Sequence, residues 1–235
     1  MSASNVRSAY WTGVRHGAPF VLVIMPFGLL FGVVGTEAGL NIAEVMGFSI
    51  LVIAGAAQFT AVQLMVDQAP TMLVLATALA VNLRMAMYSA ALTPHLGGAP
   101  LWQRALAAYF LVDQTYALAQ ARYESRPEMS LGERLAYYAG SITPVCPMWY
   151  VATLAGALAG QAIPPEFALD FAVPITFLAM VAPALRTLAH VAAVGTSVAV
   201  ALTLAFLPYQ AGVLIAGLVA MMVGAQVELR MGNRE

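Results

Sequence analysis

The chain has 235 residues, of which 61% are hydrophobic and only 9% are charged, and its formal net charge at pH 7 is −1. A soluble domain carries about a quarter charged residues, so this composition excludes an ordinary water-soluble protein and predicts an all-α polytopic membrane protein. All ten basic residues are arginines, which excludes lysine-dependent P-loop hydrolases and pyridoxal enzymes, and the near-neutral charge excludes a nucleic-acid partner.

Breaks in the apolar pattern divide the sequence into eight segments, each long enough to cross a membrane as a helix of about 20 residues. In chain order, the predicted spans are residues 17–36, 43–66, 70–93, 102–122, 133–161, 166–184, 188–207 and 210–229. A topology with seven spans is the alternative, and the short turn DQAP at residues 67–70 is the least distinct boundary. The first run contains Pro26 and leads directly into further spans, which favours a retained span over a cleaved signal peptide.

The distribution of the arginines predicts how the spans are oriented. If the N-terminal tail, residues 1–15, lies in the cytoplasm, most arginines fall at cytoplasmic ends, whereas Arg104 falls outside and Arg84 falls within the third span. The arginines at cytoplasmic ends are Arg7, Arg15, Arg122, Arg126, Arg134, Arg186, Arg230 and Arg234. The positive-inside rule therefore favours cytoplasmic N- and C-termini and an even number of spans.

The spans are predicted to form a single transmembrane domain over residues 1–235, with a possible internal repeat. The segments at residues 29–51 and 152–175 both show a glycine-spaced helix end, a short polar turn and a glutamate before the next span. They lie four predicted spans apart, so the repeat would be parallel, with halves at residues 16–122 and 133–229.

Arg84 and Asp113 are opposite charges within two consecutive predicted spans. A charged side chain at the centre of a membrane helix costs about 2.5–3.5 kcal/mol on insertion scales, so each needs a partner or a wet cavity. At a helical rise of 1.5 Å per residue, they lie roughly 13 Å and 16 Å from the same membrane face. Either they form an ion pair that only fixes packing, or they form a substrate or proton site, and the second interpretation is favoured.

Polar neighbours strengthen the second interpretation. Asn82 and Tyr88 accompany Arg84 on the third span, and Gln114 and Tyr116 accompany Asp113 on the fourth. We expect all six to line one substrate or ion site.

Two further polar residues are candidates for the same function. Gln58 follows the small residues at 54–57, which permit an unwound helix of the kind that transporters use to bind substrates; the alternative is a single interhelical hydrogen bond. Asp170 is either a gate or a group that stabilises a helix start. The sequence has no HExxH or GxSxG motif, so we expect no enzyme activity, metal or cofactor.

Several segments in this order resemble the AzlC family of branched-chain amino acid transport proteins. They are MPFGLLFGVVGTEAGL at 25–40, LVIAGAAQFTAVQL at 51–64, VNLRMAMYSAALTP at 81–94, YFLVDQTYAL at 109–118, and TLAGALAGQAIPPEFALDFAVPITFLAMVAP at 153–183. The resemblance implies gradient-driven export of branched-chain and similar neutral amino acids across the bacterial inner membrane. It also implies a small membrane partner of the AzlD type.

The sequence departs from many relatives at two positions. It has Met85 after the arginine of NLR, where they carry a basic residue, and Gln114 after the aspartate, where they often carry an acidic one. The second departure argues against a proton relay of two carboxylates. A transporter for another small solute, or a non-transporting scaffold or regulatory subunit, is the alternative to the amino acid exporter.

Overall fold

The computed structural model describes residues 3–161, 185, 187–207 and 211–232, and these residues form helices, turns and loops without a β-strand. The chain divides into two compact units, Met1–Gln63 with Ala78–Phe167, and Leu64–Thr77 with Ala168–Glu235. Each unit is described by itself below, and the single domain predicted over 1–235 stays a prediction. The predicted sixth span, 166–184, with its candidate Asp170, lies outside the described residues.

Apart from α1, which occupies the predicted N-terminal tail at residues 1–15, the helices begin and end close to the boundaries predicted from the sequence, but two predicted spans are each divided in two. The helices are α1 Ala3–Gly17, α2 Val21–Glu37, α3 Ile42–Leu51, α4 Gly55–Val66, α5 Thr71–Leu96, α6 Leu101–Tyr109, α7 Asp113–Ser125, α8 Leu131–Gly160, α9 Leu188–Thr203 and α10 Ala211–Gly232. A 3-10 turn, Ala18–Phe20, joins α1 to α2.

Three helical stretches in the described part of the chain are long and apolar enough to cross a membrane. They are Asn5–Glu37, which contains α1 and α2, then Thr71–Leu96 and Leu131–Gly160. These stretches correspond to the first, third and fifth predicted spans. The prediction of a helical membrane protein is confirmed, whereas the structure does not show eight crossings.

Two helix starts are fixed by side chains that the sequence places three residues apart. Asn41 accepts a hydrogen bond from the backbone N–H of Glu44 at 3.0 Å, and the Glu44 carboxylate accepts one from the N–H of Asn41 at 2.8 Å. Ser130 and Glu133 form the same reciprocal capping box at the start of α8. Each box satisfies N–H groups that a helix start leaves free, so α3 and α8 begin at defined residues.

A seam of small residues holds α1 and α2 against α8. A Cβ atom at Gly13 would overlap the backbone of Tyr137, and a Cβ atom at Gly32 would overlap that of Thr153. A Cβ atom on Gly156 of α8 would likewise overlap Leu29. Residue numbers rise together along the seam, so α1 and α2 run parallel to α8. Such close backbone contact is how helices pack in lipid, where no hydrophobic effect drives their association.

The chain folds back within α3 and α4 instead of crossing the membrane. A Cβ atom at Gly35 would meet Val45 at 2.9 Å, and the rings of Phe31 and Phe48 lie 6.0 Å apart, so α3 returns along α2. After a break at residues 52–54, the Gln58 amide donates to the Phe48 carbonyl oxygen at 3.3 Å. In an unbroken helix, positions ten residues apart are about 15 Å apart, so α4 turns back along α3.

The helices α6 and α7 fold back in the same way. A cavity of about 260 Å³ lies between the end of α5 and α6, which the four residues 97–100 connect. Its α5 residues are Ser89, Leu92, Thr93 and Leu96, and its α6 residues are Leu101, Arg104, Ala105, Ala107 and Ala108. After a break at residues 110–112, α7 runs in the same direction as α5. The pairs that show this are Arg84 with Asp113, Tyr88 with Tyr116, and His95 with Tyr123.

The second and fourth predicted spans are therefore re-entrant helical hairpins, which we call hairpin 1 (α3 and α4) and hairpin 2 (α6 and α7). A helix of 9 to 13 residues, the range from α6 to α7, reaches about 14–20 Å and cannot cross a hydrocarbon layer of about 30 Å. Each segment is as apolar and as long as a crossing helix, and for this reason hydropathy predicted crossings.

The two hairpins belong to a pair of inverted repeats, α2–α4 and α5–α7. In each repeat a crossing helix, α2 or α5, is followed by a four-residue connection, 38–41 or 97–100. A hairpin with a three-residue break comes next. Because α2 and α5 run in opposite directions, hairpin 1 and hairpin 2 enter from opposite ends. This relation differs from the predicted parallel repeat of 16–122 with 133–229, which extends beyond the described residues and stays a prediction.

The positive charges of the first unit collect at the end where α1 and α8 begin, which we call the arginine-rich end. The arginines near this end are Arg7, Arg15, Arg104, Arg122, Arg126 and Arg134. Arg104 was expected at the opposite face, and that expectation is wrong because hairpin 1 returns to the end from which it starts, so that α5 runs back to the arginine-rich end before α6 begins. Among the described arginines of this unit, only Arg84 lies at mid-height.

The second unit contains an antiparallel pair of helices. A Cβ atom at Gly224 of α10 would meet Ala193 of α9 at 3.2 Å, and one at Gly212 would meet Leu204 at 2.7 Å. Contacts near the start of α10 thus involve the end of α9, as in a helical hairpin. These helices correspond to the seventh and eighth predicted spans.

Replacing Gly32 with alanine tests the seam between α2 and α8. The added methyl group would overlap the Thr153 carbonyl oxygen, so we expect Gly32→Ala to lower stability by about 1–3 kcal/mol. Gly47→Ala is the matched control, because no atom lies within 4 Å of a Cβ atom there and alanine favours a helix by about 1 kcal/mol. Thermal unfolding in detergent and the amount of protein in the membrane measure the effect. Equal unfolding midpoints for the two variants would contradict the seam.

Cysteine accessibility distinguishes hairpins from crossings. With Cys146 replaced by alanine, we expect single cysteines at Gly98 and Glu128 to react with an impermeant thiol reagent from one side of the membrane, and a cysteine at Ala38 from the other. Crossing helices at 102–122 would place positions 98 and 128 on opposite sides. Labelling of right-side-out and inverted vesicles makes the measurement, and labelling of 98 and 128 from different sides would rule out hairpin 2.

Candidate functional site

The breaks of the two hairpins come together beside α8. The Tyr109 hydroxyl at the end of α6 donates a hydrogen bond of 2.6 Å to the Ile50 carbonyl oxygen near the end of α3. The same hydroxyl lies 3.4 Å from the hydroxyl of Tyr150 on α8. Hairpins from opposite ends thus meet at one level, where the chain is unwound on both sides. In transporters, such broken helices bind substrates and coupling ions.

Arg84 and Asp113 form an ion pair at this level, with 3.3 Å between Nη2 and Oδ2. Arg84 lies in the middle of α5, and Asp113 is the first residue of α7, directly after the break in hairpin 2. The partial positive charge of the helix start stabilises a carboxylate at that position. The two side chains are 33% and 42% exposed, so a small ligand can reach the pair. Sequence reasoning predicted this adjacency, and a binding role for the pair stays a prediction.

The ion pair leaves hydrogen-bonding capacity unused. Arg84 Nε, Asp113 Oδ1 and Asn82 Oδ1 are buried atoms without a hydrogen-bond partner in the described structure. An unsatisfied buried polar group costs about 1–3 kcal/mol, and more when it is charged. Within the described structure, the ion pair thus has one cationic donor, Arg84 Nε, and one acceptor, Asp113 Oδ1, that no protein group satisfies.

Two tyrosines hold α5 against α7 next to the ion pair. The rings of Tyr88 and Tyr116 are stacked, with 4.1 Å between centroids and 9° between planes. Tyr88 lies one helical turn after Arg84, and Tyr116 lies three residues after Asp113. The stack fixes the two helices at the depth of the charges, as the sequence grouping of these four residues anticipated. Gln114 is half-buried next to Asp113.

Gln58 belongs to a second polar cluster, at the break of hairpin 1. It is completely buried, its amide nitrogen donates to the Phe48 carbonyl oxygen at 3.3 Å, and its Oε1 has no partner in the described structure. Ser49 accepts a 2.8 Å hydrogen bond from the Trp149 indole and lies 3.2 Å from the Thr153 hydroxyl. Sequence reasoning missed Ser49 and Thr153 because they lie about a hundred residues apart in the chain and carry no motif.

Trp149 explains why small residues surround the break in hairpin 1. Its ring lies 3.2 Å from the position that a Cβ atom at Gly55 would occupy, and it stacks on Phe31 with 6.3 Å between centroids. Phe59, four residues after Gly55, also packs edge-on against Phe31. The small residues at 54–57 permitted either an unwound or a closely packed helix, and the structure has a break at residues 52–54 and a helix that begins at Gly55 against the indole.

No group of three or more His, Cys, Asp and Glu side chains is positioned to hold a metal ion within the described residues. Of the eight candidates from the sequence, the ion pair, Asn82, Gln114 and the two stacked tyrosines lie around the start of α7. Gln58 lies in the other cluster, and Asp170 lies outside the described residues.

Comparison with known proteins gives two relatives. The chain is 28% identical over 206 residues to an uncharacterized membrane protein of Archaeoglobus fulgidus, an alignment that covers 86% of this chain and 87% of the relative. It is 26% identical over 153 residues to an uncharacterized membrane protein of Helicobacter pylori, and this alignment covers 65% of each chain. No solved structure matches the chain.

The family model for AzlC proteins matches residues 19–163, which is more than half of the chain. The matched region begins just before α2 and ends just after α8, so it contains both hairpins and the ion pair. It stops before most of the 153–183 segment on which part of the resemblance was based. The chain therefore belongs to the AzlC protein family.

Proposed function

We propose that this protein is a secondary transporter that exports branched-chain and similar neutral amino acids across the bacterial inner membrane, driven by an ion gradient. The observation that carries this proposal is the Arg84–Asp113 ion pair, half-exposed at the level where two broken hairpins meet. A membrane protein that only needed packing would gain more from apolar side chains at these positions. Membership of the AzlC family supports a transport-related role.

The free atoms at the ion pair match the two charged groups of a neutral amino acid. Arg84 can receive the substrate carboxylate through a charge-assisted hydrogen bond from Nε. Asp113 can accept the substrate ammonium through Oδ1, or it can carry the coupling proton. An apolar pocket for a branched side chain is the third requirement, and the surrounding helices are rich in leucine, valine and alanine.

The inverted arrangement of the hairpins supports a transporter over a scaffold. Inverted structural units allow one half to exchange its conformation with the other, which opens a central site first to one side and then to the other. A non-transporting scaffold or regulatory subunit needs neither broken helices nor charges at mid-height. A transporter for another small zwitterionic or anionic solute is the alternative within the same class, and we expect no enzyme activity.

We propose that the arginine-rich end faces the cytoplasm. Arginines near the ends of membrane helices collect on the cytoplasmic side, and Arg104 now conforms to this rule together with the arginines of α1, α7 and α8. The proposed orientation places the N-terminus in the cytoplasm and the connection at 38–41 on the periplasmic side. A small AzlD-type membrane protein is the proposed partner.

Neutralising either charge is expected to abolish transport. We expect Arg84→Gln and Asp113→Asn to lower the initial rate of leucine, valine and isoleucine efflux at least tenfold, since each loses a charge-assisted contact worth about 1.5–3 kcal/mol. The measurement is efflux of labelled amino acids from preloaded cells that also express the neighbouring small membrane protein, with a protonophore control. Arg126→Gln is the matched control, because Arg126 is exposed and pairs only loosely with Glu128 at 3.9 Å.

Two outcomes would contradict different parts of the proposal. Normal efflux by Arg84→Gln and Asp113→Asn proteins present in the membrane at wild-type amounts would exclude the ion pair as the site. Absence of efflux of every tested amino acid by the wild-type protein, with and without the partner, would exclude the substrate class.

A double-mutant cycle separates binding from packing. If the pair only fixes packing, each single neutral variant leaves a partly buried charge alone, and the double variant Arg84→Gln with Asp113→Asn should regain part of the lost stability. For a ligand site, we expect the double variant to regain thermal stability but to lose the stabilisation by leucine. Thermal unfolding with and without leucine measures both quantities, and unchanged stabilisation by leucine in the double variant would contradict the site.

A further inference from the structure

Arginine and tyrosine side chains form a reciprocal arrangement between α7 and α8 at the arginine-rich end, away from the ion pair. The Arg122 guanidinium lies over the ring of Tyr137 at 5.6 Å, and the Arg134 guanidinium lies over the ring of Tyr123 at 5.8 Å. The two tyrosine rings are 6.5 Å apart. We call these four residues the Arg–Tyr cluster.

Hydrogen bonds fix both tyrosines of the Arg–Tyr cluster. The Tyr123 hydroxyl donates to the Arg134 carbonyl oxygen at 2.9 Å, and the Tyr137 hydroxyl lies 2.8 Å from His16 Nδ1 on α1. His95 at the end of α5 packs against Tyr123 at 5.2 Å. Because the rings are fixed by neighbours on three helices, each guanidinium has one flat face covered by a tyrosine.

The two arginines have no acidic partner in the described part of the chain. The carboxylates near them are engaged elsewhere: Glu133 caps α8, Glu124 accepts from Gln120, and Glu128 pairs with Arg126. Arg134 donates one hydrogen bond, to the Pro127 carbonyl oxygen, and the Nε atoms of Arg122 and Arg134 are buried without a partner. Within the described residues, each of the two guanidinium groups thus lacks a carboxylate partner and keeps one unsatisfied buried donor.

We propose that the Arg–Tyr cluster is a binding site for a phosphate-bearing anion, supplied by the headgroup of an anionic lipid or by free phosphate. Planar guanidinium groups bind phosphate oxygens through paired N–H donors. Basic pockets between membrane helices on the cytoplasmic side bind anionic headgroups, and the cluster lies between helices on that side in the orientation proposed above. A phosphate here opposes the unpaired arginine charge and ties hairpin 2 to α8.

This site is independent of the proposed transport function, since it uses neither Arg84 nor Asp113. A purely structural pairing of the arginines with the tyrosines predicts that their loss lowers stability equally in every lipid. A phosphate site predicts instead that the arginines determine how much stability an anionic lipid adds. The lipid-dependent increment, rather than the absolute stability, is therefore the informative quantity.

The test compares thermal unfolding of the purified full-length protein in micelles doped with phosphatidylglycerol, in micelles doped with phosphatidylcholine, and in phosphatidylcholine with inorganic phosphate. We expect phosphatidylglycerol to raise the unfolding midpoint of the wild type. In the double variant Arg122→Gln with Arg134→Gln, we expect the phosphatidylglycerol concentration that gives half of this effect to increase at least tenfold. Such an increase corresponds to the loss of a charge-assisted contact. Arg126→Gln, four residues from Arg122, should behave as wild type.

Stabilisation by inorganic phosphate alone, lost in the double variant, identifies free phosphate as the source, and stabilisation by phosphatidylglycerol alone identifies a lipid. If the double variant does not fold, the single variants Arg122→Gln and Arg134→Gln, each expected to lose part of the increment, replace it. An increment that is absent in the wild type, or retained in these variants, overturns the proposal.

Discussion

The structure of the first unit depends on one constraint: a backbone break within a membrane must satisfy the carbonyl groups that it frees. Hydrocarbon offers no water to bond them, so irregular chain is tolerated only where protein groups replace the missing helical partners. Here side chains do so at both breaks. The Tyr109 hydroxyl bonds the Ile50 carbonyl oxygen, and the Tyr138 hydroxyl bonds that of Ala107. These two carbonyls lie in the last turns of α3 and α6.

The glycine seam makes these bonds possible. Because α2 contacts α8 backbone to backbone, Trp149 comes close enough to Ser49 and Gly55 to cover the break in hairpin 1. Tyr138 on the same helix reaches α6, and Tyr150 reaches the junction of the hairpins. The long helix α8 therefore packs against both breaks from one side. A methyl group added to the seam would displace α8 and in this way disturb the breaks.

The sequence predicted those features that depend on local chemistry. Two opposite charges in otherwise apolar segments are so costly alone that their pairing could be expected, and Arg84 and Asp113 do pair at 3.3 Å. The small residues near Gly55 permitted a break there but did not require one. The hairpins could not be predicted in this way, because residues 43–66 and 102–122 have the length and hydropathy of crossing helices whether they cross or fold back. The ambiguity at 43–66 misplaced Arg104, and the two together concealed the inverted relation of α2–α4 to α5–α7.

The strengths of the contacts indicate where the structure can move. Buried groups hold each hairpin to α8: Ser49 of hairpin 1 bonds Trp149, and Tyr123 and Tyr138 hold hairpin 2. The bond between the hairpins, from Tyr109 to Ile50, joins a neutral hydroxyl to a carbonyl at a position where Tyr109 is 42% exposed, and such a bond contributes only about 0.5–1.5 kcal/mol net. Separating the hairpins at this bond is therefore less costly than detaching either one from α8. The alternating access that we propose for Asp113 requires motion of this kind at the junction of the hairpins.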